Sequence, residues 1–528
     1  MTESNSKKAL LKPNRRTFVG GALAAAPMIG AGTLAGFNPL AAATPNKGGR
    51  VRLGVTEGST ADLLDPAPDS SAFITHLSSN YLSQLTEVDA NGDLQPLLAE
   101  SFEASADAKE WTFDLRKGVE FHDGKPLTAE DVVASINHHR GEDTTSSMKA
   151  FGAQVEDVKA DGKNRVILTL KEGNADFPFI LSTGSFSILP SEDGKVMADS
   201  GNGTGPFILE NIDIGIRAEL KRNPNYFGDG PHLDSAEILI IADAAARNNA
   251  LMTGEVDLID KLDLKTLKLL KRANKNIEIL DVTGTQHYTL PMITTTAPFD
   301  DNNVRMALKH SIDREELLEK ILLGHGAVGN DHPISPANRY FNTELEQRTY
   351  DPDKGKYYLK QAGLDSLDVE LSASEAIWTG ALDAVVLYSE QAAKAGINIK
   401  PNRVANDGYW SNVWMKHPWC ASYWSGRPTE DWMFSQGYAD TSSWNETFWK
   451  NDQFNDLLKS ARAELDDDKR RQMYWEMQSL VRDDGGAVVP LFANHVMAYN
   501  TKALGRPETV GGNWNLDGYK LLQRWWKA

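Results

Sequence analysis

Apolar and polar positions alternate with two different periods along this chain, and the switches between them mark strands and helices. Val51-Arg-Leu-Gly-Val55 and Trp111-Thr-Phe-Asp-Leu115 place apolar side chains at every second residue, which predicts half-buried strands. Residues 165–170 follow the same period, and Glu237-Ile-Leu-Ile-Ile241 is apolar enough for a buried strand. Thr128-Ala-Glu-Asp131 reads as a capping box with Asp in the usual Glu position, opening a helix through Val132, Val133 and Ile136. A further helix is predicted over 244–252. Asp351-Pro352 supplies an N-cap followed by proline at the first helical position, with Gly363 as the stop. A strand over 368–373, a helix over 378–395 closed by Gly396, and a strand at Ile397-Asn-Ile-Lys400 then form a β-α-β unit. Two polar helices, 451–465 and 467–483, precede a short apolar strand at Val488-Val-Pro-Leu-Phe492. Strands and helices interspersed in this way predict an α/β architecture.

The first residues read as an address. Lys7, Lys8, Lys12, Arg15 and Arg16 make a positive start, residues 20–34 are weakly apolar and rich in Ala and Gly, and Ala41-Ala42-Ala43 suits a signal peptidase. Asn14-Arg15-Arg16-Thr17-Phe18-Val19 carries the twin-arginine pattern. Gly, Pro, Thr and Asn dilute the segment below the roughly 20 strongly apolar residues that a membrane span needs. Residues 1–43 are therefore read as a twin-arginine signal peptide. Cys420 is the only cysteine, so neither a lipid anchor near Ala43 nor an internal disulfide is available. The expected destination is the periplasm, without lipid attachment.

Charge narrows the partners. The chain carries 55 Lys and Arg against 73 Asp and Glu, a net −18, and the segment after residue 43 stands near −22. Such an acidic surface argues against nucleic acid and anionic lipid. The roughly 485 residues left after processing exceed one core and predict two or three domains.

Three stretches carry a family resemblance. One runs from Leu98-Ala-Glu-Ser-Phe-Glu through Trp111-Thr-Phe-Asp-Leu-Arg-Lys-Gly-Val-Glu-Phe-His-Asp-Gly-Lys-Pro-Leu-Thr-Ala-Glu-Asp-Val-Val133. The second is Gly203-Thr-Gly-Pro-Phe207 with Arg222-Asn-Pro-Asn-Tyr-Phe-Gly228, and the third Pro298-Phe-Asp-Asp-Asn-Asn-Val-Arg-Met-Ala-Leu308 with Ser311-Ile-Asp-Arg314. Together they resemble the family 5 extracellular solute-binding proteins, which serve peptide, nickel and opine importers. The resemblance implies the two-lobed periplasmic binding protein fold (type II, large cluster), with hinge-linked lobes around a ligand cleft. It divides the chain into lobe I (44–87, 195–285 and 500–528), an extra subdomain (88–194) and lobe II (286–499). It further implies a monomer without cofactor or catalytic residues, which hands a small solute to the membrane subunits of an ABC permease.

The stretch most informative for the ligand is Tyr423-Trp-Ser-Gly-Arg-Pro-Thr-Glu-Asp-Trp-Met-Phe434. In peptide-binding relatives the corresponding stretch resembles Trp-x-Gly/Ala-Asp, whose Asp pairs with the α-amino group of the peptide. Here Arg427 follows Trp424-Ser-Gly426, so the charge at the anchor is reversed. A guanidinium keeps its charge when buried and offers a planar fork suited to a carboxylate. Arg427 is thus expected to bind an anionic ligand group, with Tyr423, Trp424, Ser425 and Gly426 beside it and Tyr288 further away. The competing reading pairs Arg427 with Glu430 or Asp431. The aromatic residues around it (Tyr409, Trp410, Trp414, Trp419, Trp432, Phe434 and Trp444) read as cleft wall or lobe core.

Two rivals complete the reading. A carboxylate-based hydrolase has little local support, because Gly-x-Ser-x-Gly, His-Glu-x-x-His and phosphate-loop patterns are missing from the sequence. A metal-chelate receptor of the nickel type stays open, although His138 and His139 sit side by side on a predicted helix rather than at ligand spacing. His122 and Asp123 read as a structural turn, with no metal site predicted.

Overall fold

The computed structural model describes residues 45–68, 71–375, 377–378 and 380–528, so the signal peptide read at 1–43 lies outside the described residues. In the first lobe, Val51, Leu53 and Val55 alternate into the core from Arg50–Val55. This strand pairs in parallel with Ser235–Ile240 on one side and Leu258–Ile259 on the other. It thereby becomes the centre of a seven-stranded sheet, ordered Phe207–Asp213, Arg217–Arg222, Ser235–Ile240, Arg50–Val55, Leu258–Ile259, His495–Asn500 and Ile277–Val282. Phe73, Ile74 and Leu77 of helix Ala72–Tyr81 seal one face.

The second lobe holds a four-stranded sheet in the order Gly326–Val328, Ala487–Ala493, His287–Pro291 and Ser422–Trp424. Ala487–Ala493 is an inner strand although it contains Pro490, a residue that removes a ladder donor. The register slips opposite it, between Tyr288 and Leu290, and the Pro490 carbonyl still accepts the Gly329 N–H at 2.7 Å. Bridges Met292–Trp419 and Ser372–Cys420 connect this sheet to the parallel pair Leu367–Ala373 and Ile397–Arg403. Helix Ala381–Ala393 completes the predicted β-α-β unit, shorter at both ends than its apolar pattern suggested.

A separate four-stranded antiparallel layer, in the order Ala99–Ala104, Glu110–Leu115, Arg165–Leu170 and Val155–Ala160, has its own core around Trp111, Phe113 and Leu168. Helix Ala129–Asn137 opens with the predicted box: Asp131 Oδ2 accepts the Thr128 N–H at 3.0 Å. Because this helix ends at Asn137, His138 caps it and His139 lies beyond it, which corrects their placement on one helix. His138 bonds Asp65 at 2.8 Å and His139 bonds Ser146 at 2.6 Å.

The chain passes between the two large sheets twice. It leaves the first lobe between Val282 and His287 and returns between Ala493 and His495. The return is earlier than the predicted boundary at 500, because His495–Asn500 belongs to the seven-stranded sheet. Its apolar run continues that of Ala487–Ala493 almost without a break, so periodicity alone does not show the change of sheet. Among the described residues no helix is long and apolar enough to cross a membrane.

Candidate functional site

Strand Ser422–Trp424 runs antiparallel to His287–Pro291, with His287 opposite Trp424 and Tyr288 opposite Tyr423. After Trp424 the chain turns sharply at Gly426, whose φ is +87°. A Cβ there would lie 2.1 Å from Thr285 Oγ1, so both the backbone angle and the space demand glycine. Thr429 then caps helix Glu430–Gly437 by accepting the Trp432 N–H at 3.2 Å. Strand end, glycine turn and helix start together hold Arg427 in place.

The Arg427 guanidinium lies 5.5 Å from the Trp424 ring centroid and 5.7 Å from that of Trp432. Its Nε donates to Gln436 Oε1 at 2.7 Å, and its Nη1 to the Gly426 carbonyl at 2.6 Å and Ser425 Oγ at 3.2 Å. Nη2 makes no hydrogen bond among the described residues. Glu430 instead accepts the Tyr340 N–H at 2.6 Å, and Asp431 pairs with Arg462 at 3.0 Å. The pairing of Arg427 with Glu430 or Asp431 is therefore not made. Burial pulls the Arg427 guanidinium down to about 10, which leaves it charged at neutral pH.

The other predicted residues fall in different surroundings. Ser425 and Tyr423 are exposed. Trp424 is buried, and its indole N–H donates to Glu446 Oε1 at 3.1 Å. Tyr288 is in the core of the second lobe, stacked on Trp378 with centroids 4.3 Å apart. His287, its neighbour, is buried beside the Gly426 turn. Its Nε2 has no hydrogen-bond partner among the described residues, and burial pulls the imidazole down to about 4. His122 ties the turn after its strand to the Gly205 carbonyl at 3.1 Å.

Sequence reasoning missed Glu446. It accepts from Trp424, from Trp414 Nε1 at 2.7 Å and from Thr289 Oγ1 at 2.9 Å. Burial raises its carboxyl above the ordinary range, and these neutral donors pull it back. The signal available was a single acid inside the aromatic run Trp444-Asn-Glu-Thr-Phe-Trp449. Among the described residues no three His, Cys, Asp or Glu side chains converge as a metal site.

A cavity of about 820 Å³ opens elsewhere, between residues that flank the four-stranded layer (Leu97, Arg116, Thr183) and the C-terminal segment (Trp514, Arg524). Pro428, next to Arg427, is the only residue of the second lobe that lines it among the described residues.

Comparison with known proteins places this architecture. The family model described as bacterial extracellular solute-binding proteins, family 5 (Middle) matches residues 93–446. The chain belongs to this family of solute-binding proteins. The dipeptide-binding protein of Escherichia coli K12 is 27% identical over 434 residues, which cover 75% of this chain and 80% of the relative. The structure of HbpA2 from Haemophilus parasuis superposes with a TM-score of 0.79 at 21% identity, covering 89% of this chain and 99% of that one. That of AgaA from A. tumefaciens R10, in complex with agropinic acid, gives 0.74 at 22% identity, covering 91% and 99%. These likenesses fix the two-lobed binding-protein fold. The family consists of binding proteins rather than enzymes, acting outside the cytoplasm.

Proposed function

We infer that this solute-binding protein is the periplasmic receptor of an ABC importer and captures a small peptide-like or opine-like solute bearing a carboxylate, held by Arg427. One observation carries the reading. A charged guanidinium sits between two indoles, no carboxylate is within ion-pair reach among the described residues, and Nη2 is unused. A ligand carboxylate supplies the missing anion and accepts a charge-assisted hydrogen bond. A free α-amino group at this position would meet like charge and lose its hydration without compensation. Dipeptides anchored by their N-terminus are therefore poor ligands. The agropinic acid complex of AgaA agrees with an acidic solute on this fold.

Capture works by closure of the lobes: a ligand touching both favours the closed state, and the permease reads that shape. The protein travels by the twin-arginine route, carries no lipid anchor and acts as a monomer. The test is calorimetric titration of an opine and of a dipeptide against the wild type, Arg427→Ala and Arg427→Asp. Opine binding lost in both variants supports the assignment, and unchanged affinity removes it.

A further inference from the structure

The cavity of about 820 Å³ beside the four-stranded layer is not lined by Arg427, yet its volume falls in the range of small-molecule pockets. Strand Glu110–Leu115 ends at its edge, and the next residue, Arg116, lines it. Two bonds fix Arg116 there: its backbone N–H donates to the Leu98 carbonyl at 2.9 Å, and its Nε to the Leu97 carbonyl at 2.6 Å. The guanidinium lies 5.9 Å from the Phe227 ring centroid. Among the described residues Nη1 and Nη2 make no hydrogen bond, and no carboxylate is within ion-pair reach.

The other charged groups of the lining are matched or hydrated. Lys520 faces Glu87 at 3.7 Å, and Arg524 pairs with Asp517. Asp89 accepts the N–H groups of Asn91 and Asp93 and the Gln95 amide. Burial holds His232 below its ordinary range, so it is neutral at pH 7. Asp229 is exposed and keeps its water. Arg116 is left as the one unpaired cation of the lining among the described residues.

Part of the wall is built on unfavourable backbone. Leu516, Asp517, Gly518 and Tyr519 follow one another with φ of 52°, 60°, 66° and 61°, a left-handed turn that residues with a Cβ avoid. It persists because Asp517 is buried and bound by the Gly511 N–H at 2.6 Å, the Trp525 indole N–H at 3.1 Å and Arg524. The turn sets Tyr519 beside Trp514, centroids 6.4 Å apart and planes 18° from parallel. Trp514, like Phe227, lines the cavity. Strain held in this way concentrates where a binding surface is preset.

We propose that this cavity is a second binding site, separate from Arg427, for an amphipathic carboxylate, with the anionic group on the Arg116 fork and the apolar body against the wall that carries Phe227 and Trp514. A guanidinium with both Nη groups unused suits a bidentate carboxylate. Phe227 adjoins that guanidinium, so the apolar wall begins where the anion is held. An amphipathic cation meets like charge there, and a small hydrated anion leaves the apolar wall wet.

Calorimetry on the purified protein compares octanoate, octylammonium and acetate. Octanoate is expected to bind about tenfold or more tightly than either of the others. Arg116→Gln weakens it about tenfold, whereas Arg427→Gln leaves it within about twofold. Asn513 lines the cavity and its side chain makes no hydrogen bond among the described residues, so Asn513→Trp fills the space and removes octanoate binding. Thermal melts accompany each variant, and if Arg116→Gln does not fold, Asn513→Trp decides. Octylammonium binding as tightly, affinity retained in folded Arg116→Gln or in Asn513→Trp, affinity lost in Arg427→Gln, or no octanoate binding overturns the proposal. None of these outcomes bears on the opine titration that tests Arg427.

Discussion

Arg470 and Asp176 meet at 2.7 Å in the interior, the first on helix Asp467–Asp484 of the second lobe and the second beside the four-stranded layer. Both side chains are about nine-tenths or more buried, and the Ala175 N–H donates to the Arg462 carbonyl next to them at 2.7 Å. Trp432 adds an edge-on contact with Phe151 across the same boundary, centroids 4.9 Å apart. Arg470→Met leaves Asp176 buried without a counter-ion, and the expected loss is about 3–5 kcal/mol. Urea unfolding measures it. A double variant that also carries Asp176→Leu recovers most of the loss, because no lone charge remains.

Gly426→Ala places a methyl group against Thr285 in a left-handed backbone. A cost of roughly 1–3 kcal/mol for the backbone alone follows. Either stability falls by at least that amount, or the turn shifts and moves Arg427. Thermal melts together with titration of an opine detect both outcomes, and a variant unaffected in both would contradict the described turn.

Glu446→Gln keeps the shape but replaces one acceptor oxygen with an NH₂ group. One of the two indole N–H donors then faces a donor, at an expected cost of about 1–3 kcal/mol. The tryptophan emission spectrum should move with it, since Trp414 and Trp424 lose their common restraint. An unchanged spectrum and unchanged stability would exclude the orienting role.

His332 is buried, both ring nitrogens lack hydrogen-bond partners among the described residues, and burial pulls its pKa down to about 3. The unfolded chain takes up a proton at this residue near pH 6.5, whereas the folded protein does not until far lower pH. Stability from this group is therefore intact above pH 6.5 and declines as pH falls from there toward 3, by about 2 kcal/mol at pH 5. His332→Leu should flatten the stability profile over that window. A variant whose profile parallels the wild type would show that His332 already binds a proton in the folded protein.

Local elements were readable because short-range chemistry decides them. The Thr128–Asp131 box, the Asp351-Pro352 start and the 165–170 alternation each specify their element without reference to distant residues. Long-range placement was less readable. His495–Asn500 and Ala487–Ala493 share one apolar pattern yet enter different sheets, since pairing partners hundreds of residues away decide the matter. At the site, Arg427 stood out because its charge opposes that of the family pattern. Tyr288 is a candidate only because the chain crosses between lobes close to it, and period 2 turns its ring to the opposite face from His287. Glu446 carried no motif, because its role arises from two indoles that only the folded chain brings to it.

The return path from the second lobe to the first is a single residue, Asn494, whose side chain donates to Asp281 Oδ1 at 2.6 Å. Asp281 Oδ2 also lies 2.7 Å from His325 Nδ1. With about 3.8 Å between successive Cα atoms, such a tether lets one body swing against the other but gives no slack for sliding. For any movement of one sheet against the other, Asn494 is therefore a pivot rather than a track, and displacement grows with distance from it.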